Sequence, residues 1–291
     1  MTRAKIKTKI LAYINLIKPG VISLVIFTAL VAAIIAPTKL EYVQNFAVIA
    51  SIAIAAAGSA ALNMWYDKDI DGLMQRTSKR STVKGIISSN EALAFGLLTS
   101  IIAVAIMFVV TNIYAALLLA FTSFFYAVIY TVFLKRSTMQ NIVIGGAAGA
   151  LPPVVAWFAL TGSFHITPWL LFWIIFLWTP PHFWALSIHY HKDYAKCNIP
   201  MMINVKGLHY TKINILIYSI LLFLATLLPY FLGIFGVVYF IAAILLGLRF
   251  LFLATKIFVN ETHAIKLFLF SIFYLFTLFT FILLDHVNKL L

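Results

Sequence analysis

Residues 63–80, NMWYDKDIDGLMQRTSKR, close a long apolar run with a sudden block of charge. The residues just before Asn63 are almost all apolar, as befits a helix crossing a bilayer. Asp67, Asp69 and Asp71 then fall within five positions, although the whole chain has only eight acidic residues. Arg76, Lys79, Arg80 and Lys84 follow them. This is the edge of a membrane, with chemistry placed on it.

The rest of the chain agrees. Of 291 residues, 64% are hydrophobic and 10% charged, where a soluble domain carries about a quarter charged. The fold class is an all-α polytopic membrane protein. Uncharged windows, read against the roughly 20 residues a helix needs to cross, give nine transmembrane helices. One lies at 19–38 and one at 42–66. Two lie in 92–134, broken at Thr111-Asn112, and two in 137–191, broken at TGSFH. A pair begins in 213–248, breaks at GIFG and ends near Lys256; a last span lies at 267–284.

Net charge is +13. In such a chain that balance speaks of orientation and lipid head groups, not nucleic acid. With the N-terminus inside, segments 1–18, 67–91, 134–140, 191–212 and 249–266 hold 19 of the 21 Lys and Arg; only Lys39 and Lys289 fall outside. The expectation is a cytoplasmic N-terminus in a bacterial cytoplasmic (inner) membrane, with no secretory signal peptide. The chain reads as one domain, 1–291. The two long inner loops, four helices apart, suggest a pseudo-repeat of helices 1–4 and 5–8 with helix 9 added. A single cysteine, Cys197, excludes an internal disulfide.

Asn63, Asp67 and Asp71 are spaced by four. If the second helix runs on to Asp71, an amide and two carboxylates share one stripe. Like charges at that spacing destabilise a helix unless a cation sits among them. Oxygen ligands suit Mg2+, which binds through one or two carboxylates plus substrate phosphates. Asp69 points another way. The basic residues just beyond suit a diphosphate, held between metal and guanidinium or ammonium groups. A second polar loop, SIHYHKDYAKCNIPMM at 187–202, offers His189, His191, Lys192, Lys196 and Asp193. Asp193, facing the first pair across a bundle, completes a two-sided metal site.

These residues carry a resemblance. NMWYDKDID and the second polar loop resemble the paired motifs of the UbiA superfamily of intramembrane prenyltransferases. The runs YTVFLKRSTMQNIVIGGAAGALPPVVAW at 130–157 and FLWTPPHFWALSIHYHKDYAKCNIPMM at 176–202 resemble its heme O synthase branch. The resemblance implies a UbiA-type bundle and a reaction: farnesyl diphosphate plus heme b gives heme O and pyrophosphate, with the farnesyl group on the 2-vinyl substituent. It implies Mg2+ as cofactor, held by Asn63, Asp67, Asp71 and Asp193, with the three aspartates catalytic and the active site on the cytoplasmic side. Arg76, Lys79, Arg80, Lys135, Arg136 and Lys192 become diphosphate candidates; Arg76, Arg80, Lys135 and Arg136 are equally candidates for heme propionates. A heme A synthase or terminal oxidase assembly is the implied downstream partner. The chain departs from the pattern twice. Cys197 stands where many members have a second carboxylate, and Ser81 where a proline commonly follows the arginine.

Heme draws attention to His182, inside a span after Pro180-Pro181, where it can ligate iron, move a proton or satisfy a broken helix. His189, His191, Trp178 and Tyr130 are further heme-binding candidates. Gly145 and Gly149, four apart, are read as close-packing positions. Three other readings are weighed: a UbiA-type enzyme acting on a quinone precursor or chlorin, a cation transporter, and a heme-binding assembly partner without catalysis, which would not need the carboxylate stripe. A transporter places its acids near mid-membrane; these lie at helix ends beside cations that would repel a free ion but hold a phosphate.

Overall fold

Backbone that crosses lipid must satisfy its own hydrogen bonds, which leaves helices as the means available to these apolar runs. The computed structural model of the chain describes residues 3–38 and 41–290, and it is helical nearly throughout them. Helix α1 covers Arg3–Leu16, α2 Pro19–Ile35, α3 Tyr42–Tyr66 and α4 Lys68–Leu73. Then come α5 at Ser89–Val110 and α6 at Ile113–Phe124, which passes into a π-helical stretch, Phe125–Leu134. Helices α7 (Asn141–Ala150), α8 (Pro152–Thr161), α9 (Ile166–His189) and α10 (His191–Lys196) follow, and the chain closes with α11 (Met202–Phe231), α12 (Val237–Val259) and α13 (His263–Leu290).

Eight of the described segments are long and apolar enough to cross a membrane. A ninth is reached when α1 and α2, bent by 52° at their junction, count as one span. This is a multi-pass membrane protein.

Helix α1 falls in what the sequence reading treats as a flanking segment. It has no Gly or Pro within it, and it packs Ala12 and Leu16 against Ala61, Met64, Ile87 and Ala92. Helix α11 starts eleven residues before the uncharged window at 213. Lys206 and Lys212 end a window but not a helix, because Lys206 is exposed and the charge of Lys212 is answered by Glu261 at 3.7 Å. Gly207, at φ +81°, puts a kink there that other residues adopt only under strain.

Helix α9 is the most enclosed, packed among α7, α11 and α13, while α3 lies along α5. Pro180 and Pro181 sit inside α9, where they remove two backbone donors. The C-terminal ends of α3, the π-helical stretch and α9 meet the N-terminal ends of α7 and α11 at one end of the bundle. The two polar loops at 67–88 and 190–201 are placed there.

At the opposite end, Asp285 is 3% exposed and takes hydrogen bonds from the backbone N–H groups of Gly236, at 2.6 Å, and Tyr239, at 3.4 Å. It thereby satisfies the otherwise bare N-terminus of α12. A Cβ at Gly236 would stand 2.7 Å from Asp285 Oδ1, so the close approach requires glycine. Asp285→Ala is expected to lower stability by about 1–3 kcal/mol. A melting temperature in detergent unchanged from the parent would contradict that role.

Candidate active site

The α3 helix ends at Tyr66, with Asp67 as its cap at φ −84° and ψ 5°. Asp67 N–H still bonds Asn63 O at 3.0 Å, and Asp71 N–H bonds Asp67 O at 2.9 Å. The expected continuous helix is thus interrupted at one residue, yet its spacing of four survives into α4. Asn63, Asp67 and Asp71 are all buried, at 4%, 0% and 1% exposure. Asp69 is 62% exposed and turns away.

Bare carboxylates at such depth would be costly, and each has a cation. Lys135 Nζ donates to Asp67 Oδ2, as does Asn63 Nδ2, at 2.8 Å. Arg80 pairs with Asp71. Lys18 Nζ donates to Asn63 Oδ1 at 2.6 Å. Asn63 Nδ2 also reaches Thr131 Oγ1 at 3.1 Å. Arg136 forms a forked pair with Asp69, at 2.7 and 2.8 Å, and its guanidinium lies 4.8 Å from the centre of the Tyr66 ring.

The hydrogen bond from Arg136 holds the Asp69 carboxyl below its ordinary value of 3.8, and the same bond raises Arg136. A depressed carboxylate stabilises the fold above its ordinary pKa and loses that effect only as pH falls through the lowered one. The Asp69–Arg136 clasp is therefore complete at neutral pH.

The second loop comes against the first. Ile70 and Met74 pack with Tyr194, Ile199 and Met201, and Cys197 Sγ lies 3.4 Å from Ile70 O. Burial, and then the charge of Asp193, raise the Cys197 thiol. Asp193 is 7% exposed.

The π-helical stretch forms the third wall. Its wider turn accommodates a hydrogen bond from Thr131 Oγ1 to Tyr126 O at 2.9 Å, and Lys135 N–H reaches back to Tyr130 O. Tyr126 and Tyr130 stack at 5.4 Å. Gly145 lies against this stack: a Cβ there would be 2.2 Å from Tyr130 Cδ2, whereas one at Gly149 meets nothing within 4 Å. Of the two expected packing glycines, only Gly145 faces a close neighbour.

The other candidates are placed as follows. Arg76, Lys79, Lys192, His189 and His191 are exposed around the rim. Trp178 and His182 lie elsewhere, between α9 and α13. His182 Nδ1 is 2.6 Å from Ser271 Oγ, its ring stacks on Trp178 at 4.3 Å, and Trp178 Nε1 donates to Ser271 O. Of the three readings open for His182, this contact set is that of a core histidine with a partner. Sequence reasoning missed Lys18 and Thr131. Their only signals were a lysine directly before Pro19 and a lone hydroxyl within an apolar run.

Among the described residues, no three His, Cys, Asp or Glu side chains converge as a ready metal cage. Asp67 Oδ1 and Asp193 Oδ2 are nevertheless buried without a hydrogen-bond partner. Arg136 Nη2 stands 3.6 Å from the first of them, and two such carboxylate oxygens, one on each loop, fit a hard cation that takes most of its remaining ligands from phosphate and water.

Known proteins resemble this chain. The profile described as the UbiA prenyltransferase family matches residues 25–284. A protein of Rickettsia bellii named protoheme IX farnesyltransferase is 49% identical over 276 residues, which cover 94% of this chain and 91% of that one. Among solved structures, digeranylgeranylglyceryl phosphate synthase superposes with a TM-score of 0.79 at 18% identity, over 97% of this chain and 99% of that one. A UbiA homolog from Archaeoglobus fulgidus bound to DMAPP and Mg2+ superposes with a TM-score of 0.71 at 16% identity, over 92% and 99%. These two likenesses concern the fold.

Proposed function

We propose the reaction from one premise: the chain belongs to the UbiA prenyltransferase family and is a prenyltransferase. Its donor is farnesyl diphosphate and its acceptor the 2-vinyl group of heme b, and the products are heme O and pyrophosphate. The observation that carries this choice of substrates is the near-half identity, over almost the whole chain, to a protein named for farnesylating protoheme IX. The charge pattern supports a cytoplasmic N-terminus and an active site opening to the cytoplasm of a bacterial inner membrane.

In this reaction the diphosphate enters between the two loops. Asn63, Asp67, Asp71 and Asp193 are the residues that would hold Mg2+, which would neutralise phosphate charge. Lys18, Arg80 and Lys135 already crowd the carboxylates. They are placed to turn to the phosphate oxygens and stabilise the negative charge that grows as the allylic C–O bond breaks. The terminal vinyl carbon bonds to C1 of the farnesyl group. Water then supplies a hydroxyl to the cation left beside the ring, and its proton returns to solvent. Tyr126 and Tyr130 present ring faces that favour a passing allylic cation and keep stray water from it. The exposed Arg76, Lys79 and Lys192 draw the charged substrate in from the surface.

The test is to express the chain in a membrane lacking its own heme O synthase and to analyse extracted hemes by mass spectrometry. Heme O is expected. A well-expressed chain that yields none would overturn the acceptor and redirect the search to aromatic and quinone-precursor acceptors.

A further inference from the structure

Arg249 is the one arginine set deep in an apolar span away from the active site. It lies ten residues before Val259, the end of α12 nearest the carboxylates, which at the helical rise is about 15 Å along the axis. The flanking residues Leu245, Leu248 and Phe252 are exposed on the same outer surface of the bundle, as is Arg249 itself. A charge on a surface that faces hydrocarbon is costly, and such a residue is kept where something answers it.

The immediate surroundings make the cost greater. The Arg249 guanidinium lies 5.3 Å from the centre of the Phe252 ring, and Lys256 Nζ lies 5.2 Å from the centre of that same ring. Residues 249, 252 and 256 follow one stripe of the helix. Two like charges thus share one aromatic ring, in a medium where repulsion is poorly screened. A ring face relieves either cation modestly and their mutual repulsion not at all.

The chain has no carboxylate to spare for them. Asp67, Asp71 and Asp193 belong to the active site, Asp69 clasps Arg136, Glu91 pairs with Lys9, and Asp285 caps α12. Glu261 pairs with Lys212 beyond the end of the helix, and Glu41 begins α3 at the opposite end. A second copy of the chain therefore brings no acid to the depth of Arg249. The bilayer supplies anions on this face at the level of its head groups, and both side chains are long enough to reach toward them.

We propose that Arg249, Phe252 and Lys256 form a binding site for the phosphate of an anionic phospholipid, with an acyl chain lying along Leu245 and Leu248. Two cations directed at one head group favour a lipid with net negative charge over a zwitterionic one. The site lies on the opposite side of α12 from the helix's buried contacts, so it is separate from the diphosphate site.

The test is native mass spectrometry of the full chain in detergent, titrated with phosphatidylglycerol or with phosphatidylcholine of the same acyl chains. The parent is expected to bind phosphatidylglycerol at least fivefold more tightly than phosphatidylcholine, and Arg249→Leu/Lys256→Leu to lose that preference. Arg249→Lys, which keeps the charge, should retain most of it, and melting temperatures verify that the variants are folded. Equal affinity of parent and double variant for phosphatidylglycerol would overturn the site. Equal loss of both lipids would overturn the selectivity for net charge. A dimer present in the parent and absent in the double variant would replace the lipid by a second copy of the chain.

Discussion

Asp67→Asn is expected to lower kcat/KM for heme farnesylation by about a thousandfold or more, a loss of roughly 4 kcal/mol in transition-state stabilisation. The substitution keeps the size of the side chain and removes its charge. Two things then change together. Lys135, partly buried, loses the fully buried anion that neutralises it, and the oxygen that fits a cation loses most of its basicity. Asp69→Asn, two residues on, should cost less than threefold, because that carboxylate is exposed and clasps Arg136 at the surface. The pair is measured as heme O formed per mole of folded enzyme, with melting temperatures recorded alongside. If Asp67→Asn kept a tenth of the activity, or if Asp69→Asn fell as far, the assignment of the stripe would fail.

Gly145→Ala should reduce turnover at least tenfold and cost about 1–3 kcal/mol in stability, the usual range for overpacking. The added methyl would meet the Tyr130 ring at 2.2 Å, so the ring must leave its stack on Tyr126. Gly149→Ala, one helical turn away, adds a methyl that meets nothing within 4 Å and should be neutral or slightly stabilising. A second substitution separates packing from chemistry. Gly145→Ala combined with Tyr130→Leu should recover the melting temperature without recovering turnover. Recovery of both would show that Tyr130 serves only to fill space.

Much of this protein could be read from its letters, for definite reasons. Uncharged windows located the spans because lipid tolerates few charges, and the stripe at 63, 67 and 71 was legible because helical spacing is local. Helix ends were less legible: α11 and α13 run past their windows into the interface, where lysine is at ease. What the sequence could not reveal was pairing over distance. Lys18 meets Asn63 across 45 positions and Lys135 meets Asp67 across 68. Nothing local marks either partner. His182 drew attention as an ionisable group in a span, but its partner Ser271 lies 89 positions on. The π-helical stretch also left no trace, because its composition is that of any apolar helix.

That stretch has a consequence for how the chain tolerates insertion and deletion. A π-turn holds one residue more than an α-turn. Losing a single residue between Ile113 and Leu134 would let the segment relax into a regular helix, with little penalty to the span as a hydrophobic object. Because the extra residue is absorbed within the turn, the segments on either side would keep their mutual register, and Lys135 would stay on the face that meets Asp67. A single-residue insertion in the same span finds its π-turn already taken and would turn everything after it by about 100°. Lys135 would then swing away from Asp67, and a change far from any charged residue would leave a chain that inserts, folds and does nothing.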